Sequence, residues 1–294
     1  MKSFIKSLEV KILQIIKKRR GPVVTVVRLS GVIGGMGGLR QGLSLSSIEK
    51  VLERAFSPSK LSGVAIVINS PGGSPVQSDL IAGRIRVLSQ EKEVPVFTFV
   101  EDVAASGGYW LACAGDEIYA SVSSILGSIG VISGGFGYTE LIRKLGIERR
   151  LHTSGDKKGM LDPFSPEKPS DLKHLKTIQE EIHNDFINMV KLRRKDRLKG
   201  QEKVIFSGSF WGGKKALEMG LIDGLGDLRS VIREKFGEDV KIKVIKENRS
   251  YLKKRLGLAG QSLSISRESD IISHLISNLI ITIDERAMWN RFGL

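Results

Sequence analysis

The residues best suited to chemistry lie in one short stretch, Asp102–Trp110, with the sequence Asp-Val-Ala-Ala-Ser-Gly-Gly-Tyr-Trp. An apolar run, Val94–Val100, precedes it and predicts a buried strand, and Leu111–Ala114 predict the body of a short helix. Ser106 is therefore expected at a strand-to-helix corner, between small residues that let a substrate backbone come close. A serine at such a corner can be a nucleophile whose attack creates an oxyanion, or it can simply cap the helix.

A second strand-to-helix corner is predicted earlier in the chain. The continuous apolar run Val64–Asn69 predicts a buried parallel strand, and it ends in Ser70-Pro71-Gly72-Gly73-Ser74 before a helix over 76–88. This turn is either an ordinary connection or the source of an oxyanion-stabilising N–H, for which Gly73 is the candidate. Both corners open from the carboxyl ends of neighbouring strands, where ligands of α/β sheets bind.

A serine nucleophile needs a group that takes its proton. The chain has four histidines: His152, His174, His183 and His274. Two of them, His174 and His183, fall on a long predicted helix with a polar face, where surface histidines are common. His274 lies in the tail, which leaves His152 as the histidine alternative.

Lysine can take the same role when partial burial favours its neutral form, as in Ser-Lys variants of the catalytic triad. The loop Gly155–Met160 carries two lysines, Lys157 and Lys158, among small residues. The sequence shows no paired His or Cys at metal-ligand spacing and no Walker-type phosphate loop, so no metal and no cofactor is predicted.

Composition is typical of a soluble globular protein of one large or two small domains: 294 residues, 41% hydrophobic and 27% charged. The single cysteine, Cys113, lies on an apolar helix and predicts a buried structural thiol. The net charge of +14 is concentrated in three runs, at 1–20, 191–200 and 253–255. Aromatic residues make up 6% of the chain and do not interleave with these runs, which argues against a nucleic-acid partner.

The basic runs have alternative explanations. Residues 1–20 predict a basic amphipathic helix, which we expect on an anionic membrane surface rather than packed on protein. Their longest uncharged run is too short to cross a bilayer or to act as a secretion signal. The run at 191–200 ends a long helix predicted over 171–192, and is either a solvated helix end or a lipid contact.

The predicted organisation has three parts: a basic helix at 1–20, a globular domain at 21–246 and a tail at 247–294. In the tail, 247–269 is polar and irregular, whereas 271–281 is an apolar stretch interrupted by polar residues. We expect that apolar stretch to be an oligomer contact or a docked helix rather than a membrane span.

The chain resembles the signal peptide peptidase A family of serine proteases in several segments that occur in the family's order, over roughly 23–235. The segments are Ile68–Ser74, Ala104–Trp110, Gly127–Ile132, Ser154–Lys158, Phe206–Gly208 and Gly220–Gly226. The chain has one copy of the family's unit, so it resembles the single-unit type.

The resemblance implies an α/β fold of the Clp protease and crotonase type, a spiral of ββα units with helices around the sheet. It implies a Ser-Lys dyad with Ser106 as nucleophile and Lys158 as general base, and Lys157 is the fallback for a register shifted by one residue. It further implies that Ser128 orients the lysine and that Gly73 and Gly107 form the oxyanion hole.

The resemblance also implies a substrate class and an assembly. The substrates would be remnant signal peptides or other short or unfolded polypeptides, held extended in an apolar groove. The assembly would be a homo-oligomeric ring in which neighbouring subunits can share one site. The family's usual transmembrane anchor is replaced by the basic helix, so we expect the protein in the cytoplasm or on the cytoplasmic membrane face.

Two other functions fit part of the pattern. A crotonase-like enzyme acting on acyl-CoA would need a carboxylate base near the glycine turns, for which Asp102 is the candidate. A non-catalytic scaffold of the same family would have been free to lose both Ser106 and Lys158, and the chain retains them.

Overall fold

The computed structural model of the protein describes residues 21–34, 42–246, 282–283 and 285–294. The predicted basic helix at 1–20, the polar segment at 247–269 and the apolar stretch at 271–281 lie outside the described residues. Within the described ranges no helix is both long and apolar enough to cross a membrane.

Strands and helices alternate through the first part of the chain and then give way to shorter elements. The strands are β1 (Val23–Ser30), β2 (Leu61–Ser70), β3 (Val96–Ala105), β4 (Glu117–Ala120), β5 (Ile125–Gly127), β6 (Phe210–Gly212), β7 (Gly224–Leu225) and β8 (Lys241–Val244). The helices are α1 (Leu45–Ala55), α2 (Pro75–Lys92), α3 (Gly107–Ala112), α4 (Thr139–Lys144), α5 (Pro169–Arg194), α6 (Glu202–Ile205), α7 (Gly213–Glu218) and α8 (Leu228–Phe236). A further helical segment covers 285–290.

The strands form one sheet in the order β6-β5-β3-β2-β1-β8, and β4 and β7 branch from it. The pairings are parallel except that between β5 and β6. Strand β3 pairs with β4 through its first half and with β5 through Val103–Ala105, so the sheet divides at β3. The predicted α/β fold, a spiral with helices around the sheet, is confirmed.

The core explains why β2 and β3 are continuous apolar runs in the sequence. Alternate residues of a strand face opposite sides of the sheet. In β2, Ile66 and Ile68 pack beneath the helices, whereas Ala65 and Val67 pack on the other face near α8. Both faces are covered, so both sets of residues are apolar.

Two local predictions differ from the structure. Strand β3 continues beyond the predicted end at Val100 to Ala105, while the corner lies at Ser106 as expected and α3 begins at Gly107. The predicted turn and strand over 125–132 is a strand over Ile125–Gly127 followed by a loop, because the bend comes after Gly127, which has a φ of +103°.

In the basic run at 191–200 the arginines contact the domain, whereas Lys195 and Lys199 are exposed, so the run is solvated only in part. Arg194 is 1% exposed and forms a two-pronged ion pair with Asp223, with distances of 2.7 and 3.1 Å. Arg193 donates to the backbone oxygens of Cys113 and Gly115. These arginines fasten α5 to the domain, and Cys113 is buried beside them, as predicted.

Candidate active site

Ser106 occupies the sharp corner between β3 and α3. Its backbone has φ +52° and ψ −123°, a sparsely populated conformation for a residue with a side chain. Its N–H donates to the Gly127 oxygen at 2.8 Å, and its own oxygen accepts from the N–H groups of Tyr109 and Trp110. The corner is thus held by backbone bonds on both sides.

The Ser106 side chain makes no capping hydrogen bond to α3, although the residue is at the N-cap position. Helix capping therefore does not explain why this position carries a serine. The hydroxyl instead lines a cleft of about 600 Å³. A strained corner that presents an uncommitted hydroxyl to a cleft is the arrangement of a nucleophile.

The turn after β2 lies directly against this corner. A Cβ built on Gly72 would lie 2.8 Å from the Ser106 Cβ, and one on Gly107 would lie 3.4 Å from the Gly73 nitrogen. Gly107 begins α3, so its N–H has no partner within the helix. Gly73 and Gly107 both line the cleft with Ser106, so the structure brings the predicted nucleophile and both predicted oxyanion donors together.

Gly73 also needs to be a glycine for a steric reason. Its φ is +140°, and a Cβ there would lie 2.1 Å from the Ile33 oxygen. Hydrogen bonds from Ile33 N to Gly72 O and from Ser74 N to Ile33 O, each 2.8 Å long, hold the turn against the segment after β1.

Ser128 comes directly after β5, as Ser106 comes directly after β3. Ala105 and Gly127 are register partners in the parallel pair, so the two serines emerge side by side. Ser128 is buried and has a φ of +52°, and its N–H donates to Ser209 O at 2.7 Å. It lines the same cleft as Ser106, and its role in orienting the lysine stays a prediction.

The walls of the cleft are mainly apolar. The rings of Trp110 and Phe186 stack with centroids 4.8 Å apart, and Ile182 lies one helical turn before Phe186 on α5. Val131 and Ile132 continue this lining on the loop after β5. The cleft is suited to apolar side chains next to a nucleophile.

The predicted lysine base does not line the cleft. Lys157 and Lys158 lie on an exposed loop, and neither belongs to the lining residues. His152 is also exposed and outside the lining. Asp102 accepts a 2.7 Å hydrogen bond from Asn69 Nδ2 and does not line the cleft, so the candidate carboxylate base for acyl-CoA chemistry is not placed to act there.

His183 was predicted on the protein surface, and that prediction is wrong. Its ring lines the cleft, and Nε2 lies 3.1 Å from the Ile129 oxygen. A carbonyl oxygen only accepts, so Nε2 carries a proton and anchors the backbone next to Ser128. The signal that could have found it is its spacing: His183 follows Ile182 and precedes Phe186 on the face of α5 that meets the core.

The family resemblance implies that the tail packs near the active site or a ring interface, but no individual residue of 288–292 was predicted there. Met288, Arg291 and Phe292 line the cleft together with Ser106. The sequence placed them in a tail whose contacts depend on tertiary packing, and only the fold brings them to β3.

The chain matches the family model described as Peptidase family S49 over residues 89–243. It is 32% identical over 214 residues to Serine protease SPPA, chloroplastic, of Arabidopsis thaliana, a match that covers 71% of this chain and 31% of that protein. It is 51% identical over 272 residues to a protein of Brucella abortus (strain 2308) named Na(+)/H(+) antiporter NhaA, covering 92% of this chain and 37% of that one.

The chain therefore spans about a third of the length of these relatives. The antiporter name describes a whole protein, of which this chain matches 37%. Among solved structures, the 1510-N membrane-bound stomatin-specific protease, a lysine-to-alanine mutant in complex with a substrate peptide, is 17% identical with a TM-score of 0.48. That match covers 81% of this chain and 98% of the solved one.

The family model supplies the identification, since it covers more than half of the chain and includes both Ser106 and Lys158. The resemblance to the signal peptide peptidase A family is thereby confirmed. The chain belongs to peptidase family S49.

Proposed function

We propose that the protein is a serine endopeptidase in which Ser106 is the nucleophile. The observation that carries the proposal is the strained corner at Ser106, whose hydroxyl is not used as a cap and faces the cleft beside two glycine N–H groups. Membership of peptidase family S49 supports the same reaction.

The chemistry follows from this arrangement. The Ser106 oxygen attacks the scissile carbonyl carbon while a base takes the hydroxyl proton, and the carbonyl oxygen becomes an oxyanion. The N–H groups of Gly73 and Gly107 stabilise that charge. The tetrahedral intermediate expels the amine, which takes the proton from the base. Water then hydrolyses the acyl-enzyme by the same steps.

We propose Lys158 as the base, supplied by a neighbouring copy of the chain. The loop and helix that carry it, 131–164, expose large apolar side chains, and none of the residues of α4 is buried. Phe136 is 64% exposed and Leu145 is 63% exposed. A subunit contact that covers these side chains would also explain how a lysine outside the cleft reaches a serine. The exposed apolar side chains support the expected homo-oligomeric ring.

The proposed substrates are remnant signal peptides and other short or unfolded polypeptides. The apolar walls formed by Trp110, Ile182 and Phe186 support this choice, because the central region of a signal peptide is a run of apolar residues. A folded protein would have to unfold locally before its backbone could reach the corner at Ser106.

The test is labelling with a fluorophosphonate probe from pH 6 to 10. We expect wild type and Lys157→Ala to be labelled, and Ser106→Ala and Lys158→Ala to remain unlabelled. Labelling should rise with pH, because a lysine acts as a base only in its neutral form. Absence of labelling in folded, assembled wild-type protein would overturn the proposal, and loss in Lys157→Ala alone would assign the base to Lys157.

A further inference from the structure

The segment 285–294 is built into the wall of the cleft. Phe292 is 8% exposed and packs against Val103 and Ala105 of β3, the strand that ends at Ser106. Its ring meets that of Phe210 on β6 edge to face, with centroids 5.1 Å apart. The segment is therefore anchored beside the nucleophile by buried aromatic contacts.

This segment brings one fixed charge to the cleft. Among the described lining residues, Arg291 is the only one whose side chain is always charged, and none is an aspartate or glutamate. His183 is the other titratable group, and its Nε2 is engaged with Ile129 O. Arg291 would thus attract a substrate carboxylate, and no acidic side chain among the described lining residues would repel it.

Arg291 is also uncommitted. Within the described part of the chain its guanidinium forms no ion pair, and its central carbon lies 5.8 Å from the centre of the neighbouring Phe292 ring. The buried Phe292 fixes the backbone position of Arg291. Because the Arg291 side chain is exposed, its five N–H donors are available to a ligand.

We propose that Arg291 is a specificity-determining residue that selects peptides carrying a carboxylate near the apolar segment bound in the cleft. The carboxylate is that of an Asp or Glu side chain or of a peptide terminus. This inference rests on the proposed peptidase function and narrows its substrate class to apolar peptides with an acidic group.

The expected effect is modest because Arg291 is exposed. An exposed ion pair contributes up to about 1 kcal/mol, which corresponds to about fivefold in kcat/KM. The preference should fall as salt is added, because salt screens exposed charges.

The experiment uses quenched fluorescent peptides with one apolar core, in which a flanking position is Glu, Gln or Lys in turn. Each peptide is made with a terminal acid and with a terminal amide, so that the two carboxylate sources are separated. Cleavage is measured for wild type, Arg291→Gln, Arg291→Lys and Arg291→Glu. The matched control is Arg286→Gln, an exposed arginine of the same segment, 285–294, that does not line the cleft.

We expect wild type, Arg291→Lys and Arg286→Gln to favour the carboxylate peptides about fivefold. Arg291→Gln should show no preference, and Arg291→Glu should favour Lys. An unchanged preference in Arg291→Gln and Arg291→Glu, or no preference in wild type, overturns the inference. Binding of the same peptides to Ser106→Ala variants, followed by anisotropy, decides the charge preference without hydrolysis, so a failure of the peptidase proposal is recognised separately.

Discussion

At the scale of single residues, the site depends on backbone positions with positive φ, which residues with a side chain rarely adopt. Ser106 and Ser128 both have a φ of +52°, and Gly73 has a φ of +140°. These conformations cost free energy and persist because surrounding hydrogen bonds hold them. The chain thus places strain where the proposed chemistry needs a fixed hydroxyl and a fixed N–H.

Replacing Gly73 by Ala should abolish most activity. The added Cβ would lie 2.1 Å from the Ile33 oxygen, so the turn must move and carry the Gly73 N–H away from the oxyanion position. Loss of one such donor lowers kcat about 10²–10³-fold. Peptide cleavage kinetics measure this loss.

The control for Gly73→Ala is Gly83→Ala in the middle of α2. A Cβ at Gly83 meets nothing within 4 Å, so this variant should keep wild-type kcat and gain about 0.5–1 kcal/mol of stability. Wild-type kcat in a folded Gly73→Ala variant would show that the Gly73 N–H is not an oxyanion donor.

At the scale of elements, a buried ion pair links α5 to the segment before β7. Arg194 is buried and pairs with Asp223, whose second partner is Arg197 at 3.1 Å. Burial alone would raise the pKa of Asp223, but the hydrogen bonds and charge of Arg194 outweigh it, and the pKa is lowered.

Asp223→Asn should destabilise the fold by about 3–5 kcal/mol at pH 7, because it leaves the buried Arg194 without a counter-charge. Urea unfolding measures the change. Since the folded-state pKa of Asp223 is lowered, its contribution is present above the ordinary aspartate pKa and is lost as pH falls through the lowered value. The difference between wild type and variant should therefore shrink in acid.

The matched control for Asp223→Asn is Glu218→Gln, which removes the exposed partner of Lys215. An exposed pair of this kind contributes at most about 1 kcal/mol. Equal losses from the two substitutions would contradict a special role for the buried pair.

The elements show where sequence reasoning succeeds and where it does not. Strand β2 and helix α2 are predicted well, because an uninterrupted apolar run and a following proline-glycine turn leave few alternatives. The partners of α5 are not predicted, because a basic run has the same composition whether it is solvated or buried against a carboxylate. Nor does the apolar face of α5 predict burial along the whole helix, since Leu172 is 41% and Ile178 is 40% exposed.

The residues of the candidate site also fall into two groups, those that the local sequence predicts and those that it does not. Ser106, Ser128, Gly73 and Gly107 come together in one cleft because each follows a strand end, a local feature visible in the sequence. His183 and Arg291 reach the cleft through helix packing and through the return of residues 285–294 to β3. Those contacts join residues far apart in the chain, and no local pattern specifies them.

At the scale of the whole molecule, the proposal that two subunits share one active site predicts how mixtures of inactive variants behave. Ser106→Ala retains Lys158, and Lys158→Ala retains Ser106. If neighbouring subunits complete each other, mixing the two inactive variants before assembly should restore about a quarter of wild-type activity, since half of the subunits carry the serine and half of their neighbours carry the lysine.

The mixing experiment is read by fluorophosphonate labelling and by peptide cleavage. Its control mixes Ser106→Ala with the double variant Ser106→Ala, Lys158→Ala. No subunit of this mixture carries Ser106, so it should remain inactive. No recovery from the first mixture, with co-assembly shown by differently tagged subunits, would place serine and lysine in the same chain.

The pairing of Ala105 with Gly127 has a consequence for how the chain can vary in length. Ser106 and Ser128 are neighbours only because the residues before them are register partners, and a slip of one residue would turn Ser128 to the other face of the sheet. Insertions or deletions inside β3 or β5 should therefore abolish activity even when they leave both serines intact. Changes of length should instead accumulate in the exposed connections that do not set this alignment, such as the turn around Lys199 and Gly200.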